Sequence, residues 1–125
     1  MLFRSNMQRK KTGKLFEFCT LAPLIIAGKS NKEKKNMSKL GEDIGLLFQI
    51  SDDFLDITGT KKKIGKLIKK DKKKGKSTLI SIMGLKKAYK YANNLEIKIL
   101  RKLKKHGNKA KELSNIVQYI LKRQT

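Results

Sequence analysis

Apolar residues recur at helical spacing along most of the chain, and nowhere do they alternate with a period of two over the length of a strand. Residues 1–10 carry no such pattern and are expected not to be well ordered. The spacing predicts a first helix over 14–28 that opens at Lys11-Thr12-Gly13 with Thr12 as its cap. That segment is apolar on nearly every side, so it should be buried all round, with a kink at Pro23 and a stop at Gly28. A lysine-rich connection over 29–35 leads to a central helix over 33–58, ended by Gly59. A short buried helix is predicted over 77–85, with Ser77 or Thr78 near its start. Leu85, Ala88, Tyr89, Ala92, Leu95 and Ile99 then mark a longer helix that stops at His106-Gly107-Asn108. A last helix over 109–123 places Ala110, Leu113, Val117, Ile120 and Leu121 on one face. With no strand pattern and no repeat, the fold class is all-α.

The central helix carries the unusual chemistry. At about 100° per residue, Met37, Leu40, Ile44, Leu47, Phe48, Ser51 and Leu55 form one stripe, which Leu46, Ile50, Phe54 and Ile57 widen. What remains is a narrow polar strip of Gly45, Gln49, Asp52, Asp53 and Asp56. Three of the chain's ten acidic residues thus sit in its most hydrophobic stretch, and a carboxylate is rarely buried unless it is paired or holds a metal. Asp52 and Asp56 are one helical turn apart, where like charges repel. A cation between them would relieve the repulsion, and ligands that are all oxygen suit Mg2+ or a similar hard divalent ion. The same residues also fit a solvent-facing acidic stripe on an ordinary amphipathic helix.

Length and composition narrow the options. A chain of 125 residues accommodates one domain with a core, and 38% apolar residues separate it from a disordered basic tail. The formal net charge of +22 suggests nucleic acid, but 28 of the 32 basic residues are Lys, there is no Trp, and aromatics number eight. Sequence-reading proteins lean on Arg and on stacked aromatics, so most of the Lys is read as solvated surface and no specific nucleic-acid partner is expected. The single cysteine, Cys19, precludes an internal disulfide and is expected to be a buried thiol. His106 has no metal-ligand neighbours and is expected to be structural or solvent-exposed. The longest apolar run, 15–27, is interrupted by Glu17, Thr20 and Pro23 and falls short of a transmembrane segment. Nor is a signal peptide recognisable, and the expected location is cytoplasmic.

Residues 60–76, ten of them Lys with Asp71 the one acid, read as a mobile lysine-rich loop. It is either a solvated charged loop or an anion-gathering lid placed directly after the carboxylates. The predicted helix start at Lys11 would add a second anion site, through free backbone N–H groups and the helix dipole.

Three motifs occur in order: Lys11-Thr12-Gly13, then Gly45-Leu-Leu-Phe48-Gln49-Ile-Ser-Asp52-Asp53-Phe-Leu-Asp56, then Gly65-Lys66 through Asp71 to Gly75-Lys76-Ser77-Thr78. This set closely resembles the C-terminal half of the trans-polyprenyl diphosphate synthases, the farnesyl and geranylgeranyl diphosphate synthase family, from about residue 7 onward. The resemblance implies an isoprenoid synthase helical bundle and a prenyltransferase of isoprenoid biosynthesis. Such an enzyme ionises an allylic diphosphate with the help of Mg2+, adds isopentenyl diphosphate to the carbocation and loses a proton. By the same resemblance Asp52, Asp53 and Asp56 are metal-binding. Lys11, Lys66 and Lys76 contact the allylic diphosphate, Lys11, Thr12 and Gln49 are catalytic, and the full-length enzyme is a homodimer.

Two departures qualify it. Lys69 stands where the family usually has a Gly in the lid. The Asp residues are Asp43, Asp52, Asp53, Asp56 and Asp71 only, so the family's first aspartate-rich motif is missing. Together with the abrupt start and helices too apolar for so short a chain to cover, this leads to the expectation of a partial domain over 1–125, a fragment or truncated product. Such a chain should expose apolar surface, dissolve poorly and lack condensation activity alone. The competing readings are a non-catalytic basic helical protein that binds nucleic acid or anionic membrane through 61–76, and an inactive regulatory subunit of a synthase.

Overall fold

The computed structural model describes residues 2–63 and 79–123, with side chains from 10 to 57 and from 80 to 123. Every regular element among them is helical: α1 (Leu2–Ile26), α2 (Asn31–Lys63), α3 (Leu79–Met83), α4 (Leu85–Lys104), a 3-10 turn (Gly107–Ala110) and α5 (Lys111–Lys122). The all-α class is as expected. Residues 64–78, which hold Lys66, Lys76 and most of the lysine-rich loop, lie outside the described residues.

The first helix does not open at Lys11-Thr12-Gly13. It begins at Leu2 and runs through all three residues and Pro23 to Ile26. Thr12 is therefore no cap, and the expected anion site on a free helix N-terminus beside Lys11 does not exist. Gly28 does close the helix: at φ +64° its N–H donates to Ile25 O at 3.1 Å, and Lys29 N–H donates to Leu24 O at 3.0 Å. This paired closure satisfies two of the last carbonyls, and the left-handed backbone at its centre favours glycine.

The connection to α2 is shorter than expected. Ser30 caps the second helix reciprocally, its hydroxyl accepting from Glu33 N–H at 3.3 Å while the Glu33 carboxylate accepts from Ser30 N–H at 3.0 Å. That is the capping box expected of a Ser followed three residues later by Glu, and it places the start at Asn31. Gly59 does not end α2, which continues to Lys63: a single helical glycine weakens a helix by about 1 kcal/mol and does not of itself stop one.

The core lies between α2, α4 and α5. Leu40, Ile44, Leu47, Ile50 and Phe54 of α2 pack with Ala88, Ala92, Leu95, Ile99 and Leu103 of α4 and with Val117 and Ile120 of α5. Two alanines on α4 let the helices approach, and the Phe54 ring stacks on Tyr89 with centroids 4.1 Å apart. Ile80 of α3 joins this core, whereas Ile82 is exposed, so the short helix is buried on one side only.

Helix α1 packs along α2 and is not enclosed. Leu15, Phe18, Ile25 and Ile26 are 62%, 66%, 58% and 87% exposed, and Cys19 is also exposed. The expectations of an all-round buried first helix and a buried thiol both fail, because among the described residues only α2 packs extensively on α1. No helix among the described residues is long and apolar enough to cross a membrane.

Candidate active site

The close approach of α1 to α2 sets the site. A Cβ built on Gly41 would lie 2.7 Å from Phe16 O and 2.9 Å from Glu17 Cα, and would overlap Thr20 Oγ1. One on Gly45 would lie 3.3 Å from both Gly13 Cα and Phe16 Cβ. These two glycines, four residues apart, bring the backbones together. Gly45 thus belongs to the packing surface and not to a polar strip. Across this contact Thr20 Oγ1 donates to Met37 O at 2.8 Å and Ser38 Oγ donates to Glu17 Oε1 at 2.6 Å. The Phe16 and Phe48 ring centroids lie 5.5 Å apart.

The same contact opens a cleft of about 270 Å3 between the helices, lined among others by Lys10, Lys14 and Glu17 of α1 and by Lys39, Asp43 and Gln49 of α2. Of the expected site residues, Gln49 faces this cleft, while Lys11 and Thr12 do not line it. Lys11 is exposed and Thr12 half-buried. The hydrogen bond from Ser38, reinforced by Lys14, holds the Glu17 carboxyl below its ordinary range. Lys14 is raised in turn by its hydrogen bond to Glu17 at 2.9 Å. The cleft wall is therefore mixed in charge, with cations on both helices.

Asp52 and Asp53 are half-buried and Asp56 is exposed, so the three motif aspartates are less sequestered than their hydrophobic neighbourhood suggests. The buried acid of α2 is Asp43, 5% exposed. Lys39, Lys98 and Lys102 surround its carboxylate at 3.7, 3.5 and 3.7 Å, and its Oδ2 has no hydrogen bond. It ties α2 to α4 through charge. Its position, three residues from Leu40 and four from Leu47 on the buried face, was the available signal, and Lys39 one turn earlier was the second.

The repulsion expected between Asp52 and Asp56 is answered at Asp52 from an unexpected direction. Arg123, one residue past α5, donates from Nη2 to Asp52 Oδ1 at 2.6 Å. Three residues beyond buried Ile120, it extends the buried face of α5, and that spacing was legible. Among the described residues no three or more His, Cys, Asp or Glu side chains gather closely enough to hold a metal ion. Oxygen donors suit Mg2+ chemically, but with Asp52 engaged by a guanidinium these carboxylates do not by themselves fit one.

Elsewhere, burial raises the Glu96 carboxyl above its ordinary range, partly offset by the charge of Lys122. His106 is exposed.

The family model described as Polyprenyl synthetase matches residues 4–120. The chain is 37% identical over 113 residues to a geranylgeranyl diphosphate synthase of Cyanophora paradoxa, a match covering 90% of this chain and 38% of that protein. It is 33% identical over 113 residues to a dimethylallyltranstransferase of Fischerella ambigua, covering 90% of this chain and 33% of the relative. With a farnesyl diphosphate synthase of Bacillus subtilis it shares 35% identity over 98 residues, covering 78% of this chain and 33% of the relative. The chain thus spans about a third of the length of the curated relatives it matches. On the match over 4–120, which includes the whole Gly45–Asp56 motif, the chain belongs to the polyprenyl synthetase family.

Proposed function

We propose that this chain supplies one wall of a prenyltransferase active site, the wall that binds and ionises an allylic diphosphate before attack by isopentenyl diphosphate. The observation that carries the reading is the Gly45–Asp56 motif on α2. Its three aspartates, half-buried or exposed, follow cleft-lining Gln49 along α2, in a chain whose family match spans the motif. As a diphosphate departs, negative charge builds on its oxygens. Preorganised cations stabilise that charge far better in a partly dehydrated cleft than in water. Lys11, Lys66 and Lys76 would contact the diphosphate, and Thr12 and Gln49 would present oxygens to the allylic cation.

Asp52, Asp53 and Asp56 would form one side of a divalent-cation site. The ligands of the other side would come from outside these 125 residues, since the sequence has no second aspartate-rich motif: the remaining aspartates, Asp43 and Asp71, stand singly along the chain and Asp43 is enclosed by lysines. The exposed apolar face of α1, with Leu15, Phe18, Ile25 and Ile26, supports the same arrangement, since further helices would cover it. The chain alone is then a half-site. Incubation with Mg2+, dimethylallyl diphosphate and labelled isopentenyl diphosphate should give no condensation product, and robust product from the isolated chain would overturn the half-site reading. Binding of nucleic acid or anionic lipid through the lysines would survive Asp52→Ala and Asp56→Ala, whereas diphosphate binding in metal would not.

A further inference from the structure

Helix α4 buries one face and presents a uniformly cationic one on the other side. At about 100° per residue, Ala88, Ala92, Leu95, Ile99 and Leu103 cluster on the side that packs into the core. Opposite them, an arc of about 100° holds Lys86, Lys87, Lys90, Arg101, Lys104 and Lys105, all exposed, together with Asn94 and Ile97. No acid falls in this arc: Glu96, the one acid of α4, lies outside it and is half-buried. At about 1.5 Å per residue the row runs roughly 28 Å from Lys86 to Lys105. Among the described residues none of these six cations forms an ion pair, and the pairs made from α4 join Lys98 and Lys102 to Asp43 instead. The row does nothing for the helix that carries it. Lys86 with Lys90, and Arg101 with Lys105, are like charges one turn apart. Lys86 and Lys87 also stand in a first turn that has no acid, where the helix dipole disfavours cations. The fold tolerates this repulsion without an internal counter-charge, so the face fits an external polyanion.

We propose that this face of α4 lies on an anionic lipid surface. The proposal goes beyond the function above and does not depend on it. Each Lys or Arg brought close to a layer of negative headgroups strengthens binding about fivefold, and a straight row of six can reach such a layer together. Ile97, 54% exposed, separates lipid from nucleic acid. It sits inside the arc between Lys90 and Arg101, where an aliphatic side chain is stabilised by entering the headgroup boundary and a phosphodiester backbone offers it nothing. Tyr91, 39% exposed and just outside the arc, suits the same boundary. Five of the six cations are Lys, compact point charges, whereas base recognition in nucleic acid leans on the planar fork of Arg. The apolar face of α4 is occupied by the core, so contact is made by charge and by Ile97, and salt weakens it.

Flotation of the full 125-residue chain with lipid vesicles tests this without substrate or turnover. The chain should bind vesicles of phosphatidylserine and phosphatidylcholine in equal parts, and should leave them at high salt or when phosphatidylserine is omitted. Lys90→Gln combined with Arg101→Gln should weaken binding about twenty-fivefold, fivefold for each charge. Lys29→Gln combined with Lys32→Gln removes the same charge from exposed positions off α4 and should change the affinity by less than about twofold. The lysines of 61–76 are the same in every variant, so a difference between the two doubles belongs to α4. Ile97→Ser should weaken vesicle binding about fivefold and leave binding to duplex DNA unchanged. Equal losses in the two doubles would overturn the proposal in favour of diffuse net charge. An Ile97→Ser chain that binds vesicles as the parent does, beside a Lys90 and Arg101 double that loses DNA as steeply as vesicles, would overturn it in favour of a nucleic-acid face. A parent chain that does not float with the anionic vesicles would overturn it outright.

Discussion

Replacing Gly41 with alanine sets two opposed effects against each other. Helix propensity favours alanine over glycine in a helix interior by about 1 kcal/mol, so on α2 alone the change stabilises. Against it stands α1. The new methyl would sit 2.7 Å from Phe16 O and 2.9 Å from Glu17 Cα, whereas non-bonded carbon contacts relax near about 3.5–4.0 Å. Both atoms are backbone and cannot turn aside, so the helices must part by roughly 0.6–1.3 Å, the difference between those distances. Overpacking of this kind destabilises by about 1–3 kcal/mol. The bond from Thr20 Oγ1 to Met37 O, 2.8 Å across the same contact, adds about 1 kcal/mol when stretched. The sum exceeds the propensity gain, and Gly41→Ala should lose about 1–3 kcal/mol net. The readout is the urea midpoint followed by circular dichroism. Gly13→Ala is the matched control: its Cβ would meet nothing within 4 Å, so only the propensity gain acts and stability should rise by about 0.5–1 kcal/mol. A Gly41→Ala chain as stable as the parent, or a Gly13→Ala chain destabilised to the same extent, would refute the claim that glycine contact sets the α1–α2 spacing.

Ile99→Ala, at the fully buried centre of α4, should lower stability by about 2–5 kcal/mol in chemical denaturation. Asp43→Ala should lose about 1 kcal/mol, less at high salt, because three lysines surround Asp43 at 3.5–3.7 Å while themselves remaining substantially solvated. Glu17 has a lowered pKa in the folded chain through Ser38 and then Lys14. Its contribution is therefore complete above the ordinary carboxylate range and is lost as pH falls through the depressed folded value. Glu17→Gln should flatten that acid limb in a series of melts. Glu96, raised by burial, has the opposite sign: it opposes folding above the ordinary carboxylate range, and protonation through its raised folded value relieves it, so Glu96→Gln should stabilise the chain at neutral pH.

The parts of the fold that were legible in the sequence are those where periodicity alone decides. The faces of α4 and α5 fall where Ala88, Ala92, Leu95 and Ile99, and Val117 and Ile120, repeat at helical spacing. Helix ends are less legible, since they depend on a few polar contacts. Thr12 resembles a cap but lies mid-helix, while the working capping box at Ser30 and Glu33 is masked by the lysine-rich segment around it. Burial on α1 departs from expectation because apolar composition states what a helix would bury and not whether a neighbour is present, which Phe18 and Cys19 show. In the candidate site the motif residues were legible as a string. The pairing of Asp52 with Arg123 joins residues 71 positions apart, and only the tertiary fold brings them together.

In the function proposed above, Asp52, Asp53 and Asp56 form one half of a diphosphate-ionising site completed by residues outside this chain. The most direct test joins the part of the Cyanophora paradoxa geranylgeranyl diphosphate synthase that the match leaves uncovered to these 125 residues. Prenyl transfer is then measured from dimethylallyl diphosphate and labelled isopentenyl diphosphate in Mg2+. The chimera should give product and the isolated chain none, and Asp52→Ala should cost the chimera at least about a hundredfold, a removed electrostatic partner of the reacting group being worth roughly 3 kcal/mol. A chimera that turns over equally well with Asp52 and Asp56 both replaced by alanine would contradict it.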